Sequence, residues 1–203
     1  MTAPIKVMSF NVNGIRARMH QLETVLEQHR PDVIGLQEIK VSDEEFPIDA
    51  ITAMGYKVHF YGQKGHYGVA LLSKIPATNI TRGYPTDAED SQRRMIHGEY
   101  AFNGKTLHVI NGYFPQGENR SHETKFPKKI KYYADLKKHI KKTQKTENNL
   151  IVMGDFNVAP TALDIGIGEA NAKRWLREGK TAFLPEEIDM WNSIRDLGFT
   201  DSW

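Results

Sequence analysis

The sequence predicts an α/β sandwich, two mixed sheets with helices outside. Three observations lead there. First, two stretches read as antiparallel hairpins. Val58–Tyr61 and Val69–Ser73 flank the glycine-rich GQKGHYG, and Arg94–Phe102 and Thr106–Tyr113 flank Asn103-Gly104. Second, VIGLQ (Val33–Gln37) and LIVM (Leu150–Met153) are apolar runs with little alternation. Such runs suit strands buried on both faces. Third, segments with apolar residues at helical spacing separate the strands. Hairpins mixed with alternating strands and helices argue against a doubly wound parallel sheet.

In chain order, Ile5–Phe10 is expected as the first strand, leaving through the polar turn Asn11-Val12-Asn13-Gly14. Leu22, Val25 and Leu26 place a helix over His20–His29, with Pro31 beyond its end. VIGLQ follows, with Glu38 at its tip. After the first hairpin, Ile75-Pro76 ends its second strand. Lys125–Lys145 reads as a helix with nine lysines and an inward stripe of Tyr133, Leu136 and Ile140. Its lysines suggest mainly a solvated face. LIVM is then followed by Gly154, which frees the backbone at the strand's end. A glycine-rich loop covers Ala159–Gly168 and a short helix Asn171–Glu178. The last helix starts at Pro185, with Glu186 and Glu187 at the positive end of its dipole. Ile188, Trp191 and Ile194 form its inward stripe, and Gly198 ends it.

Composition sets the outer limits. A chain of 203 residues, 39% hydrophobic and 26% charged, is an ordinary soluble globular protein, expected as one domain over 1–203. No signal peptide is expected from MTAPIKVMSF, and no apolar run is long enough for a membrane span. The absence of cysteine excludes disulfides, thiolate metal sites and cysteine nucleophiles, and fits a reducing, cytoplasmic compartment. A net charge of +2 is too mild to announce nucleic acid by itself.

Chemistry collects at strand ends. Asn11, Glu38, Tyr113, and Asp155 with Asn157 each sit where a strand gives way to a loop. Asp155 and Asn157 are two apart, so in an extended chain their side chains leave on the same side. Each position also has a plainer reading: turn chemistry for Asn11, a strand emerging into water for Glu38, a half-buried tyrosine for Tyr113, an Asx turn for Asp155 and Asn157. Together they are oxygen or carboxamide donors. There is no Cys/His zinc spacing and no phosphate-binding glycine-lysine motif. Such donors suit Mg²⁺ or Mn²⁺, with coordination left over for a substrate phosphate.

The stretches SFNVNGIRAR, PDVIGLQEIK, GQKGHYGVALLSK, NGYFPQGENR and LIVMGDFNVAPTALDIGIGEANAKRWLREGKTAFLPEE resemble the bacterial exodeoxyribonuclease III family, within the endonuclease/exonuclease/phosphatase superfamily. The resemblance runs along nearly the whole chain. It implies a four-layer αββα sandwich and a Mg²⁺-dependent nuclease of DNA repair. The implied substrate is double-stranded DNA, cut as a 3′-5′ exonuclease and at abasic sites to leave a 3′-hydroxyl, by a monomer. Glu38 and Asn11 correspond to the magnesium site, Tyr113 to the active-site tyrosine, Asp155 to a proton acceptor beside the metal, and Asn157 to the residue steadying the transition state. Lys64, His66, Arg93, Arg94, Gln116 and Arg120 flank these positions and are expected to contact DNA phosphates. The family's pattern also continues beyond Trp203 with further strands, an Asp-His pair and an aromatic sugar pocket. From this the second sheet is expected to be incomplete, the domain C-terminally truncated, and the activity of these 203 residues small. A catalytically dead DNA- or metal-binding module, and a phosphoesterase for small or lipid phosphates, are the alternatives.

Overall fold

The computed structural model describes residues 4–144 and 149–202. The expected helix end at Lys145 and the final Trp203 lie outside the described residues. Two compact units divide the chain: 4–113 with 149–155, and 114–144 with 156–202.

The first unit holds both sheets. β1 (Val7–Asn11), β2 (Val33–Gln37), β3 (Lys57–Tyr61) and β4 (Val69–Ser73) form one, in the order β1-β2-β4-β3. β5 (Ala77–Arg82), β6 (Met95–Phe102), β7 (Lys105–Tyr113) and β8 (Leu150–Asp155) form the other, in sequence order. Each sheet is mixed: β1 runs parallel to β2 and β7 parallel to β8, while the remaining pairs are antiparallel. Both expected hairpins are present. Asn103 and Gly104 carry φ of 53° and 74°, the double positive φ of a two-residue hairpin turn between Phe102 and Lys105.

Alternation sorts the strand residues by face. Ile34 and Leu36 of β2, with Ala70 and Leu72 of β4, pack against helix α1 (Met19–His29) and the short helix α2 (Ile48–Ala53) through Leu22, Leu26 and Ile51. The intervening Val33, Val69 and Leu71 point the other way and meet Ile96, Tyr100, Val109 and Met153 of the second sheet. Gly35 lies at the tightest point between the sheets. A Cβ there would stand 2.6 Å from both the Asn111 side chain and the Met153 methyl. A polar link crosses the same interior, where the Asn111 amide donates to the Leu36 and Ala70 carbonyls at 2.9 and 3.0 Å. Its Oδ1 accepts from Gln37 at 2.6 Å.

In the second unit, helix α3 (Lys125–Gln144) packs with α5 (Pro185–Arg195), and α4 (Glu169–Glu178) lies between them in sequence. Its core is aromatic: Phe114 contacts Tyr132, Tyr133 and Phe156, and Phe156 meets Trp191 edge-on. Among the described residues, no helix is long and apolar enough to cross a membrane.

Four expectations need correction. β8 is only half-buried rather than covered on both faces, because it pairs with β7 alone at the sheet's edge. β5 and α2 were not expected, since ATNITR lacks an apolar pattern and α2 has six residues. The lysine helix is not wholly solvated. Lys129 is fully buried in an ion pair with Glu187. Glu187 thereby does more than complement the helix dipole, for its Oε2 also accepts the Ala182 and Leu184 amides at 2.8 and 2.9 Å.

Candidate active site

Parallel pairing aligns the strand ends. β1 and β2 finish together, with Asn11 opposite Gln37, and Glu38 follows at once. The loops beyond continue side by side, Gly14 and Ile15 donating to the Glu38 and Ile39 carbonyls. In the other sheet, Tyr113 stands opposite Asp155 at the shared end of β7 and β8. β1 and β8 are neighbouring edges of the two sheets, so both pairs of strand ends come together.

The Asn11 amide nitrogen joins them. It donates to Glu38 Oε1 at 2.9 Å and to Asp155 Oδ2 at 3.0 Å. Its own oxygen is turned away and accepts the Asn13 backbone N–H at 2.9 Å. Asn11 therefore meets the carboxylates through its nitrogen, not with the oxygen that a metal ligand would present. The other Glu38 oxygen receives Lys40 Nζ at 2.8 Å.

Glu38 and Tyr113 are tuned in opposite directions. Burial alone would raise the Glu38 pKa, but Lys40, Asn11 and Tyr113 donate to the carboxylate, and the result lies below the usual value. Burial, with the neighbouring Glu38 and Asp155 charges, pushes the Tyr113 phenol up to about 12 despite the opposing Arg94. At neutral pH the site thus offers an ionised carboxylate beside a protonated phenol. The backbone is also unusual there. Asn13, Glu38 and Lys40 have φ of 43°, 54° and 55°, a left-handed conformation that non-glycine residues adopt at a cost and mainly where the surroundings fix it.

Gly154 sets the approach of Asp155. It pairs with Gly112 at φ of 142°, and a Cβ on it would come within 1.9 Å of the Gly112 carbonyl oxygen. Only glycine lets β8 close on β7 at the step before Asp155.

Arg94 differs most from its expected role as a phosphate contact. It is 8% exposed, with its guanidinium carbon 4.2 Å from the Tyr67 ring centre and 4.6 Å from that of Tyr113. It donates to the Tyr113 carbonyl at 3.0 Å and to Gln92 Oε1 at 2.7 Å. These contacts hold the tyrosine, a role that neither spacing nor composition signals. Arg93 is committed in part as well, donating to Asp43 at 3.0 Å and to the Gly62 carbonyl. Lys64 and His66 are exposed on their loop, and the His66 ring adjoins Tyr67.

Asn157, Gln116 and Arg120 belong to the second unit. Asn157 has φ of 50°, so the chain is not extended there and the alternation expected from Asp155 does not continue. Its amide donates to the Phe114 carbonyl at 2.9 Å. Gln116 is exposed, with its carbonyl accepting Lys129 at 3.2 Å. Arg120 forms a forked pair with Glu186.

Two carboxylates converging on one donor, with no imidazole or thiolate among them, form a donor set for a hard divalent cation.

The Endonuclease/Exonuclease/phosphatase family model matches residues 8–203. The chain is 55% identical to the exodeoxyribonuclease III of Haemophilus influenzae over 98% of its own length and 74% of that protein. Among solved structures it is similar to the 3′ phosphatase NExo from Neisseria bound to a product DNA hairpin. That match has a TM-score of 0.87 at 30% identity and covers 98% of this chain and 73% of the other. An AP endonuclease from Archaeoglobus fulgidus matches at a TM-score of 0.84 and 31% identity, covering 98% and 72%.

Proposed function

We propose that this chain, which belongs to the endonuclease/exonuclease/phosphatase family, is a DNA-repair nuclease that hydrolyses phosphodiesters of double-stranded DNA at abasic sites and 3′ ends. The observation that carries the reading is the Glu38–Asn11–Asp155 bridge with Tyr113 beside it. The exodeoxyribonuclease III and AP endonuclease names of its relatives supply the substrate class.

Glu38 and Asp155 would hold the metal, Mg²⁺ or Mn²⁺ by the all-oxygen character of the set. Bound there, the ion would neutralise charge on the scissile phosphate and polarise it for attack. The protein's own groups do the rest. Asn11 holds the two carboxylates at a fixed separation, so little reorganisation is needed when substrate arrives. Lys40 keeps Glu38 ionised and turned toward the site. Tyr113, protonated throughout the neutral range, donates its hydroxyl hydrogen to an oxygen gaining negative charge. The water oxygen bonds to phosphorus as Asp155 accepts its proton; the bond from phosphorus to the 3′ oxygen breaks, the phosphate stays on the 5′ side, and the departing oxygen takes a proton from solvent to leave a 3′-hydroxyl. Asn157, whose amide bonds the Phe114 carbonyl in the second unit, remains proposed as a carboxamide donor toward DNA. Arg94 acts through Tyr113 rather than on DNA. Lys64, His66, Gln116 and Arg120 remain the proposed phosphate contacts, with Arg93 in a lesser part.

The test is cleavage of duplex DNA carrying one abasic site, in Mg²⁺, with a 3′-recessed duplex and a 3′-phosphate terminus as parallel substrates. Strand cleavage at the abasic site, lost in Glu38→Gln and in Asp155→Asn, is the expected result. Binding of intact duplex without cleavage would favour a binding module, and turnover of inositol phosphates or phospholipid alone would favour a small-substrate phosphoesterase.

A further inference from the structure

A second cluster of ligating side chains lies on the β6–β7 hairpin, apart from the carboxylates of the active site. His97 and Glu99 are two apart on β6, and His108 stands opposite Glu99 on β7. All three therefore leave the same face of the sheet. It is the face turned away from the first sheet, because Asn111, which alternates with His108, reaches across to Leu36 and Ala70. His97 Nε2 and His108 Nδ1 are 3.0 Å apart, and one ligating atom from each of His97, Glu99 and His108 lies within 4.8 Å of the others. The two histidines are 4% and 5% exposed.

The Nδ1 of His108 already faces His97, while its Nε2 is buried without a hydrogen-bond partner. The facing nitrogens meanwhile present two imidazole lone pairs to a single shared proton. Around a tetrahedral zinc-like ion, with nitrogens at ~2.0–2.1 Å, two such ligands stand ~3.3 Å apart, so the observed spacing needs to open by only about 0.3 Å. Glu99 is oriented from behind, its Oε1 accepting Asn79 Nδ2 at 2.9 Å, as ligating carboxylates usually are.

We propose that His97, Glu99 and His108 bind a divalent transition metal of the zinc class, at a site distinct from the Mg²⁺ or Mn²⁺ site. Two imidazoles and one carboxylate select Zn²⁺, Co²⁺, Ni²⁺ or Cu²⁺ over Mg²⁺, whereas Glu38 and Asp155 offer oxygen alone. The ion clips β6 to β7. Arg94 and Tyr113 stand side by side at the open end of this hairpin, so the clip stiffens the pair of strands that delivers the active-site tyrosine.

The test is titration of the full chain with Co²⁺ in excess Mg²⁺, following the visible d–d absorption, together with the thermal shift produced by Zn²⁺. The wild type and the Glu38→Gln/Asp155→Asn double variant should both bind Co²⁺ and gain stability with Zn²⁺. His97→Gln/His108→Gln should lose the absorption and the shift, and Glu99→Gln should weaken affinity by at least about tenfold. Glu99→Gln keeps an acceptor for Asn79 and is only partly buried, so it carries the test if the double histidine variant does not fold. Absence of Co²⁺ and Zn²⁺ binding in the wild type overturns the proposal. So does binding that survives Glu99→Gln unchanged, or binding that disappears in Glu38→Gln/Asp155→Asn.

Discussion

Replacing Lys129 with methionine tests how the second unit is held together. The ammonium has no solvent exposure and pairs with an equally buried Glu187. It also donates to the Asn157 carbonyl at 2.8 Å and the Gln116 carbonyl at 3.2 Å. Glu187 retains two backbone donors, from Ala182 and Leu184, when the lysine is gone. Those soften the loss but leave a buried carboxylate without its counter-charge. Breaking one side of a buried pair costs ~3–5 kcal/mol. The two carbonyls that lose a donor push the estimate for Lys129→Met toward the upper half of that range, about 4 kcal/mol, since such terms overlap rather than add. For a chain of this size that corresponds to a fall in Tm of roughly 8–16 °C. The assay is thermal and urea unfolding by circular dichroism for Lys129→Met, Glu187→Gln and the double variant, with Lys141→Ala as an exposed control from the same helix. The double variant should be less destabilised than the sum of the singles by at least ~1 kcal/mol. Lys141→Ala should stay within ~0.5 kcal/mol of the wild type. A Lys129→Met protein within ~1 kcal/mol of wild type, or a strictly additive cycle, would refute the reasoning.

Gly154→Ala should destabilise the fold by more than about 3 kcal/mol in urea unfolding, because the added carbon meets the Gly112 carbonyl at 1.9 Å and the residue must hold φ of 142°. Arg94→Lys, which keeps the charge but cannot both stack on two rings and bond the Tyr113 carbonyl, should slow abasic-site cleavage by at least about tenfold, ~1.4 kcal/mol in the barrier. Its duplex affinity should change little, and a variant losing affinity while keeping its turnover would return Arg94 to DNA contact. Tyr113 titrates near 12 when folded, against about 10 when unfolded, so the folded state holds more protons in that window. Its contribution to stability is intact below pH ~10 and lost as the pH rises toward 12. Tyr113→Phe should remove one late-titrating phenol from the phenolate absorbance curve, leaving Tyr100, also pushed up to about 12, and Tyr56, which burial raises as well. Glu38 runs the opposite way. Its lowered pKa stabilises the fold above the ordinary glutamate range, and that contribution disappears as pH falls through the folded value, so Glu38→Gln should flatten the acid limb of the stability curve.

What was legible in the sequence were features whose cause is local. Asn103-Gly104 demands a hairpin because both residues tolerate positive φ, and VIGLQ must be central because all five of its residues are buried. That Asn11, Tyr113 and Asp155 end strands, and that Glu38 follows one, was also readable locally, whereas their alignment depends on long-range parallel pairing. The rest depends on partners distant in sequence. Lys129 looks like any other lysine of its helix, and only Glu187, 58 residues on, explains its burial. Arg94 reads as a surface cation beside Arg93 until Tyr67 and Tyr113 close over it. Asn157 seemed to follow Asp155 in an extended chain, but a positive φ intervenes.

The same distinction bears on the two carboxylates at the strand ends. A carboxylate near a partly buried strand end is costly without a partner. Glu38 and Asp155, from different sheets, both resolve that cost through one Asn11 amide, so neither can be placed independently of the other. The link requires β1 to be the edge of one sheet, β8 the edge of the other, and Gly154 to let β8 draw close to β7. Lys40 and Tyr113 then secure Glu38 as an ionised, hydrogen-bonded group. A fold that only needed to be stable would be better served by apolar residues at these positions. Two carboxylates meeting at one amide, with three non-glycine residues in left-handed backbone, is the arrangement that the proposed cation would complete.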